Sequence, residues 1–141
     1  MFNGYHVLTA TNPARTVNTA DTFKAALFLT TATINADTTA YSTAGEATGT
    51  YTPGGVAVTW NTPAVTTGTP AAATAYVNPS ADITFNNITL TTAFDCVLIY
   101  NASQGNRAVS AHTFTAQTIT AGTLTLTIPA NTSANALIRF S

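Results

Sequence analysis

Few side chains in this chain of 141 residues could carry out chemistry. They are two histidines, one cysteine and five carboxylates: His6, His112, Cys96, Asp21, Asp37, Glu46, Asp82 and Asp95. Catalysis needs a nucleophile and a proton carrier brought together, and Cys96 with His112 could form such a pair if residues 94–100 and 107–114 are adjacent strands. However, Cys96 lies among apolar residues, which raise the pKa of a thiol and make it inert. We therefore expect no catalytic residue and no enzymatic activity.

The carboxylates are isolated from one another along the sequence. None belongs to the closely spaced acidic loop of a calcium site, and no pair has a spacing that suggests glycoside hydrolysis. A single cysteine excludes a multi-cysteine zinc site and an intramolecular disulfide. Gly54-Gly55 is not followed by Lys-Ser or Lys-Thr, so it indicates a turn and not a phosphate-binding loop. We expect neither a metal ion nor a cofactor.

The aromatic residues Trp60, Tyr51, Tyr76 and Phe85 leave two interpretations open. Exposed on a sheet, they could form a sugar-binding surface, although their spacing suits core or sheet-edge positions better. A carbohydrate-binding module is therefore one alternative function.

Charged residues make up only 6% of the chain, against about 25% in ordinary soluble domains. Lys24, Arg15, Arg107 and Arg139 lie far apart in the sequence, whereas duplex binding needs several cations on one surface. No apolar run approaches the ~20 residues of a membrane span, and the N-terminus lacks the pattern of a signal peptide. We expect no nucleic-acid partner and no membrane partner.

Threonine is abundant, and it has two open interpretations. Its hydroxyl can face water without charge, so the threonines could simply form the solvent face of many strands. Alternatively, the protein is an assembled one, because a net charge of -1 does not oppose self-association or docking onto a large surface.

The segment that organises the chain is residues 93–101. Cys96, Leu98 and Tyr100 alternate with Val97 and Ile99, and both sets are apolar, which predicts a central strand covered on both faces. Further strands are predicted near residues 22–29, where a short helix is the competing prediction, and near residues 56–60, 107–114, 123–128 and 136–140. Residues 83–90 predict either a hairpin or one bulged strand, and residues 62–79 a loop or irregular edge.

Short strands separated by turn signals predict an all-β fold, an antiparallel β-sandwich of Greek-key or jelly-roll type, with a single domain over residues 21–141. Residues 1–20 have no sustained period and predict an extended N-terminal arm. The arm could lie on a neighbouring subunit with Phe2, Tyr5 and Arg15 as anchors, or it could pack on its own domain or fray.

Several short segments carry a family resemblance through their order and spacing, namely residues 21–28, 46–56, 82–85, 97–101, 105–109, 122–129 and 136–140. With them the chain resembles the small virion proteins of tailed bacteriophages known as head decoration or cement proteins. It departs from the usual pattern in the alanine- and threonine-rich residues 62–79.

The resemblance implies a non-enzymatic β-sandwich on the outer surface of a virion, clamping neighbouring copies of the major capsid protein against the pressure of packaged DNA. The expected partners are the major capsid protein and the protein itself, as a homodimer or homotrimer, with Phe2, Tyr5 and Arg15 reaching one of them. Multivalent clamping raises affinity by about 10² to 10⁴ over a single contact. The alternatives are a tail, neck or fibre-associated module of the same fold and the carbohydrate-binding sandwich.

Overall fold

The computed structural model describes residues 21–66 and 74–140, and every regular element in these two ranges is a β-strand. The strands are β1 (Phe23–Leu29), β2 (Val56–Val58), β3 (Ala64–Val65), β4 (Ala75–Val77), β5 (Ile83–Asn101), β6 (Arg107–Leu126) and β7 (Ile138–Phe140). All pairs are antiparallel and form a four-stranded sheet, β2-β1-β5-β6, and a three-stranded sheet, β3-β4-β7. The predicted all-β class with antiparallel pairing is confirmed.

Strand β1 lies inside the four-stranded sheet and confirms the strand prediction against the competing helix. It pairs with β5 along its whole length and with β2 over its first three residues. Phe23, Ala25 and Leu27 belong to one buried apolar cluster, and Ala26 and Phe28 belong to a second cluster on the other side. An alternation of two apolar sets is what a strand buried on both faces requires.

The C-terminal half of β5 is the predicted central strand. Val97 and Ile99 belong to the first apolar cluster, which also contains Val77 of β4 and against which Ile138 of β7 packs. Cys96, Leu98 and Tyr100 belong to the second cluster, against which Ile34 and Tyr41 of the β1–β2 connection pack. Both faces of this strand are therefore covered, as its sequence predicts.

Strands β5 and β6, of 19 and 20 residues, form one long hairpin. The sequence divides this hairpin into four or more shorter strands, and that division is wrong. Pairing continues through register shifts, including those that flank Phe94, and through left-handed backbone at Asn87 (φ 51°) and Ala121 (φ 46°). A bulge bends a strand without ending its ladder, but it interrupts the period of two that sequence analysis follows. Residues 83–90 accordingly belong to one irregular strand and not to a hairpin.

The prediction of a loop or irregular edge for residues 62–79 is wrong for β4, which is the central strand of the β3-β4-β7 sheet, whereas β3 is a two-residue strand at its edge. They form an antiparallel pair with Ala64 opposite Tyr76 and Val65 opposite Ala75, and β4 also pairs with β7. Strands of two and three residues are too short to show a period.

Candidate functional site

The one nucleophile and base pair that the sequence allows does not form. Across the hairpin, Val97 lies opposite His112 and Cys96 lies opposite Thr113. Residues opposite each other share a face of the sheet and successive residues alternate, so the Cys96 and His112 side chains are on opposite faces. Burial, followed by the charge of Asp95, raises the pKa of the Cys96 thiol. The thiol is therefore protonated, and His112 is not beside it.

His112 borders a cleft of about 390 Å³ on the other face, together with Val97, Ile99, Phe114 and Leu137. Its Nε2 atom is buried and has no hydrogen-bond partner among the described residues. Burial lowers the pKa of this imidazole, so His112 is neutral near pH 7. The described side chains that line this cleft are mainly apolar, and none besides His112 is a proton carrier.

The Glu46 carboxylate is buried in the β1–β2 connection, and the sequence does not predict its partners. Glu46 is 6% exposed, and its two oxygens accept hydrogen bonds from Tyr41 Oη at 2.6 Å and from the Gly54 amide at 2.7 Å. Tyr100 Oη donates to the Gly54 carbonyl at 2.7 Å, and the rings of Tyr41 and Tyr100 stack at 4.4 Å. The Glu46 carboxylate therefore holds the β1–β2 connection together, and the bond from Tyr100 to Gly54 ties that connection to β5.

The β1–β2 connection also supplies hydrogen-bond partners for the backbone of β1 beyond the end of β2. The Ala47 amide donates to the Leu27 carbonyl at 2.8 Å, and the Leu27 amide donates to Tyr51 Oη at 2.9 Å. Burial raises the pKa values of Tyr41, Tyr51 and Tyr100, which keeps all three phenols protonated. No sequence motif predicts that Tyr41, Glu46, Tyr51, Gly54 and Tyr100 come together, because they are spread over 60 positions of the chain.

Asp21 fixes the first described residues to the turn between β5 and β6. Its carboxylate accepts hydrogen bonds from Asn101 Nδ2 at 3.0 Å, Ser103 Oγ at 3.2 Å and Gln104 Nε2 at 3.1 Å. Asp21, the first described residue, therefore lies beside the β5–β6 turn. The predicted anchors in the N-terminal arm, Phe2, Tyr5 and Arg15, lie outside the described residues.

The four aromatic residues proposed for a sugar platform do not share one exposed surface. Tyr51 and Phe85 are buried, at 4% and 1% exposure, and their rings contact each other at 5.9 Å. Trp60 is half-buried and packs edge-on against Phe23 at 5.6 Å. Tyr51 and Phe85 thus work as core residues.

Searches for two other kinds of site are negative over residues 21–66 and 74–140. No group of three or more His, Cys, Asp or Glu side chains there could hold a metal ion. No helix in that part of the chain is long and apolar enough to cross a membrane.

The most extensive exposed element is β6, the last strand in the order β2-β1-β5-β6. Its first residues are engaged, since the Ala108 amide donates to the Thr39 carbonyl at 2.9 Å. Beyond them, residues 109–120, which we call the β6 edge, contain no Asp, Glu, Lys or Arg, and in the described chain they pair only with β5. Thr115 to Thr118 are four successive exposed residues. The β6 edge is therefore a neutral, hydroxyl-bearing surface with unpaired backbone groups.

Comparison of the chain with protein-family models, curated proteins and solved structures finds no match.

Proposed function

We propose that this chain is a structural protein of a tailed-bacteriophage virion, a decoration or cement protein that binds the outer surface of the capsid and stabilises the head. The observation that carries the proposal is the β6 edge, a long, uncharged surface that offers threonine hydroxyls and backbone groups for adhesion. The sequence resemblance supplies the partner, the major capsid protein.

The β6 edge suits a specific partner better than unlimited self-association. A long uncharged edge strand invites pairing with other chains, and proteins commonly limit this with charges, prolines or bulges. Here the pairing of Cys96 with Thr113 and of Phe94 with Gln117 leaves extra residues on β6 between Thr113 and Gln117, which is a bulge. A bulge twists an edge locally, so only a partner with a matching shape can follow it.

The polar groups inside the molecule support a structural role. Asp21 joins the start of the described chain to the end of β5, and Glu46 joins two parts of the β1–β2 connection. Cys96 and His112 lie on opposite faces of the sheet. These groups contribute to stability and do not converge on a shared space. A protein that reinforces a shell needs such internal bonds and needs no reactive centre.

For the finer architecture we propose a β-sandwich of Greek-key or jelly-roll type. Val77 of β4 and Ile138 of β7 pack in the same apolar cluster as Phe85 and Val97 of the larger sheet, which supports two layers around one core. The pairing of β1 with β5 joins strands that are distant in sequence, as Greek-key connections do.

The location and copy number of the protein in purified particles test the proposed function. High-copy density over the head shell is the expected result. A few copies at the tail or neck would favour the tail, neck or fibre-associated role, and absence from particles would overturn both.

Binding to capsids that lack the protein tests the β6 edge directly. Thr115→Lys combined with Thr118→Lys places two charges on the exposed stretch and should weaken binding at least about tenfold, because each lysine must be desolvated on docking. Thr52→Lys is the matched control, since Thr52 is also exposed but lies in the turn before β2. Equal binding by the double variant and the control would exclude the β6 edge as the docking surface.

A second binding experiment tests the arm. Removal of residues 1–18 should weaken both oligomer formation and capsid binding if Phe2, Tyr5 and Arg15 are anchors. If neither property changes, the arm has no part in assembly.

A further inference from the structure

Val65 and Phe140 are the large hydrophobic side chains that the described structure leaves exposed, each at 62%. We propose that they form the seat for the N-terminal segment of a second copy of this chain, with Phe2 and Tyr5 as the side chains that occupy it. This inference adds an oligomer contact to the proposed function, and it rests on that function for the role of the oligomer in capsid binding.

The two residues belong to one continuous apolar row. Val65 lies opposite Ala75, and Ala75 lies opposite Phe140, so the row crosses all three strands of the β3-β4-β7 sheet. Side chains in such a row share one face and stand about 4.5–5.5 Å apart. Ala75 is also exposed, so the row is open along its whole length.

The row continues the core-facing side of the sheet. Val77 and Ile138 lie two residues further along β4 and β7, on the same face, and both pack in the first apolar cluster. The sheet therefore extends past the core and exposes the face that elsewhere is buried. Isolated exposed hydrophobic residues are normal on proteins, whereas a contiguous apolar extension of a core face indicates a contact surface.

The N-terminal segment has suitable chemistry. Within its first eight residues it contains Met1, Phe2, Tyr5, Val7 and Leu8, and it contains no Asp, Glu, Lys or Arg. The side chains of Phe2 and Tyr5 carry no charge, so they can leave water for an apolar row without the cost of desolvating a charged side chain. Twenty residues precede Asp21, and an extended chain of that length reaches about 65–70 Å, enough to cross to a neighbouring molecule.

Asp21, where the N-terminal segment joins the described domain, is held beside the β5–β6 turn by Asn101, Ser103 and Gln104. A net charge of -1 does not oppose the approach of a second copy, whose row the segment is long enough to reach.

Limited trypsin digestion of the full-length protein tests the inference, because Arg15 is a cleavage site in the N-terminal segment. If residues 1–8 are seated on a second copy, cleavage after Arg15 should be slow at high protein concentration and fast after dilution. Val65→Ser and Phe140→Ser should each accelerate cleavage at high concentration by about tenfold, since each removes a buried apolar contact. Light scattering should show the oligomer dissociating in the same variants.

Two further variants complete the design. Phe2→Ser changes the segment that occupies the row and leaves the described domain unchanged. It should accelerate cleavage, and it tests the inference even if Val65→Ser or Phe140→Ser disturbs folding. Ala64→Ser is the matched control, because Ala64 precedes Val65 and faces the other side of β3. It should leave the cleavage rate unchanged.

Three results would overturn the inference: rapid cleavage at every concentration, protection that does not change on dilution, or equal protection in Phe2→Ser and wild type. The second would mean that the segment packs on its own domain. The digestion assay contains no capsid, so it is independent of capsid binding. If the protein binds capsids but its N-terminal segment is not protected, the seat is wrong and the proposed function is unaffected. If the segment is protected but the protein does not bind capsids, the proposed function is wrong and the seat is unaffected.

Discussion

Replacement of Tyr51 by phenylalanine removes a single buried oxygen on which β1 depends. Strand β2 covers only Phe23–Ala25, so the Leu27 amide on the same side has no strand partner. Tyr51 Oη accepts its hydrogen bond at 2.9 Å. Leu27 is fully buried and Tyr51 is 4% exposed, so water cannot replace the hydroxyl without disturbing the core.

The expected loss is about 1–3 kcal/mol of unfolding free energy at pH 7, the penalty for a buried donor without an acceptor. The phenyl ring keeps its contact with Phe85, at 5.9 Å between ring centres, so lost packing adds little. Urea denaturation followed by Trp60 fluorescence measures the change. Tyr76→Phe, at a half-buried tyrosine of β4, is the matched control and should stay within about 0.5 kcal/mol of wild type.

The pH dependence of Tyr51→Phe provides an independent check. Burial raises the pKa of Tyr51 above its ordinary value of 10.0, so the folded protein keeps a proton that the unfolded chain releases at high pH. The contribution of this proton to stability is complete below about pH 10 and falls above it, by up to about 1.4 kcal/mol per pH unit. Tyr51→Phe lacks this loss, so its difference from wild type should narrow as the pH rises past about 10. A difference under about 0.5 kcal/mol at pH 7, or one that widens with pH, would refute the reasoning.

Three other substitutions or reactions test separate parts of the structure. Leu98→Ala, at a side chain 1% exposed in the second apolar cluster, should lower the unfolding free energy by about 2–5 kcal/mol in the same urea assay, and a loss below about 1 would mean that β5 is not the central strand. Gly55→Ala would place a Cβ atom 1.7 Å from the Ala25 carbonyl oxygen at a φ of +77°, so it should destabilise by at least about 2 kcal/mol more than Gly105→Ala, which has a similar φ of +65° and no neighbour within 4 Å. Cys96 should react with a thiol reagent far more slowly in the native protein than in urea, because it is buried and its pKa is raised, and equal rates would contradict its placement.

Local sequence patterns determined the class of this fold and its central strand. Alternation of Cys96, Leu98 and Tyr100 with Val97 and Ile99 requires a strand with two covered faces, and the structure has that strand. The pattern works here because the strand is regular and its side chains meet solvent on neither side. It fails at Asn87 and Ala121, where left-handed residues break the period while the ladder continues.

Only the tertiary structure decided which side chains meet. A shift of one residue in the β5–β6 register would have put Cys96 and His112 on the same face. The turn between the two strands and the irregularity between Ile99 and Tyr100 set that register. Glu46 and Tyr100 come together because the β1–β2 connection folds over β5, and Val65 and Phe140 share a row because β4 lies between their strands. Backbone propensity and side-chain period act over a few residues. Glu46 and Tyr100, like Val65 and Phe140, are more than 50 residues apart in sequence and meet only through the packing of the whole chain.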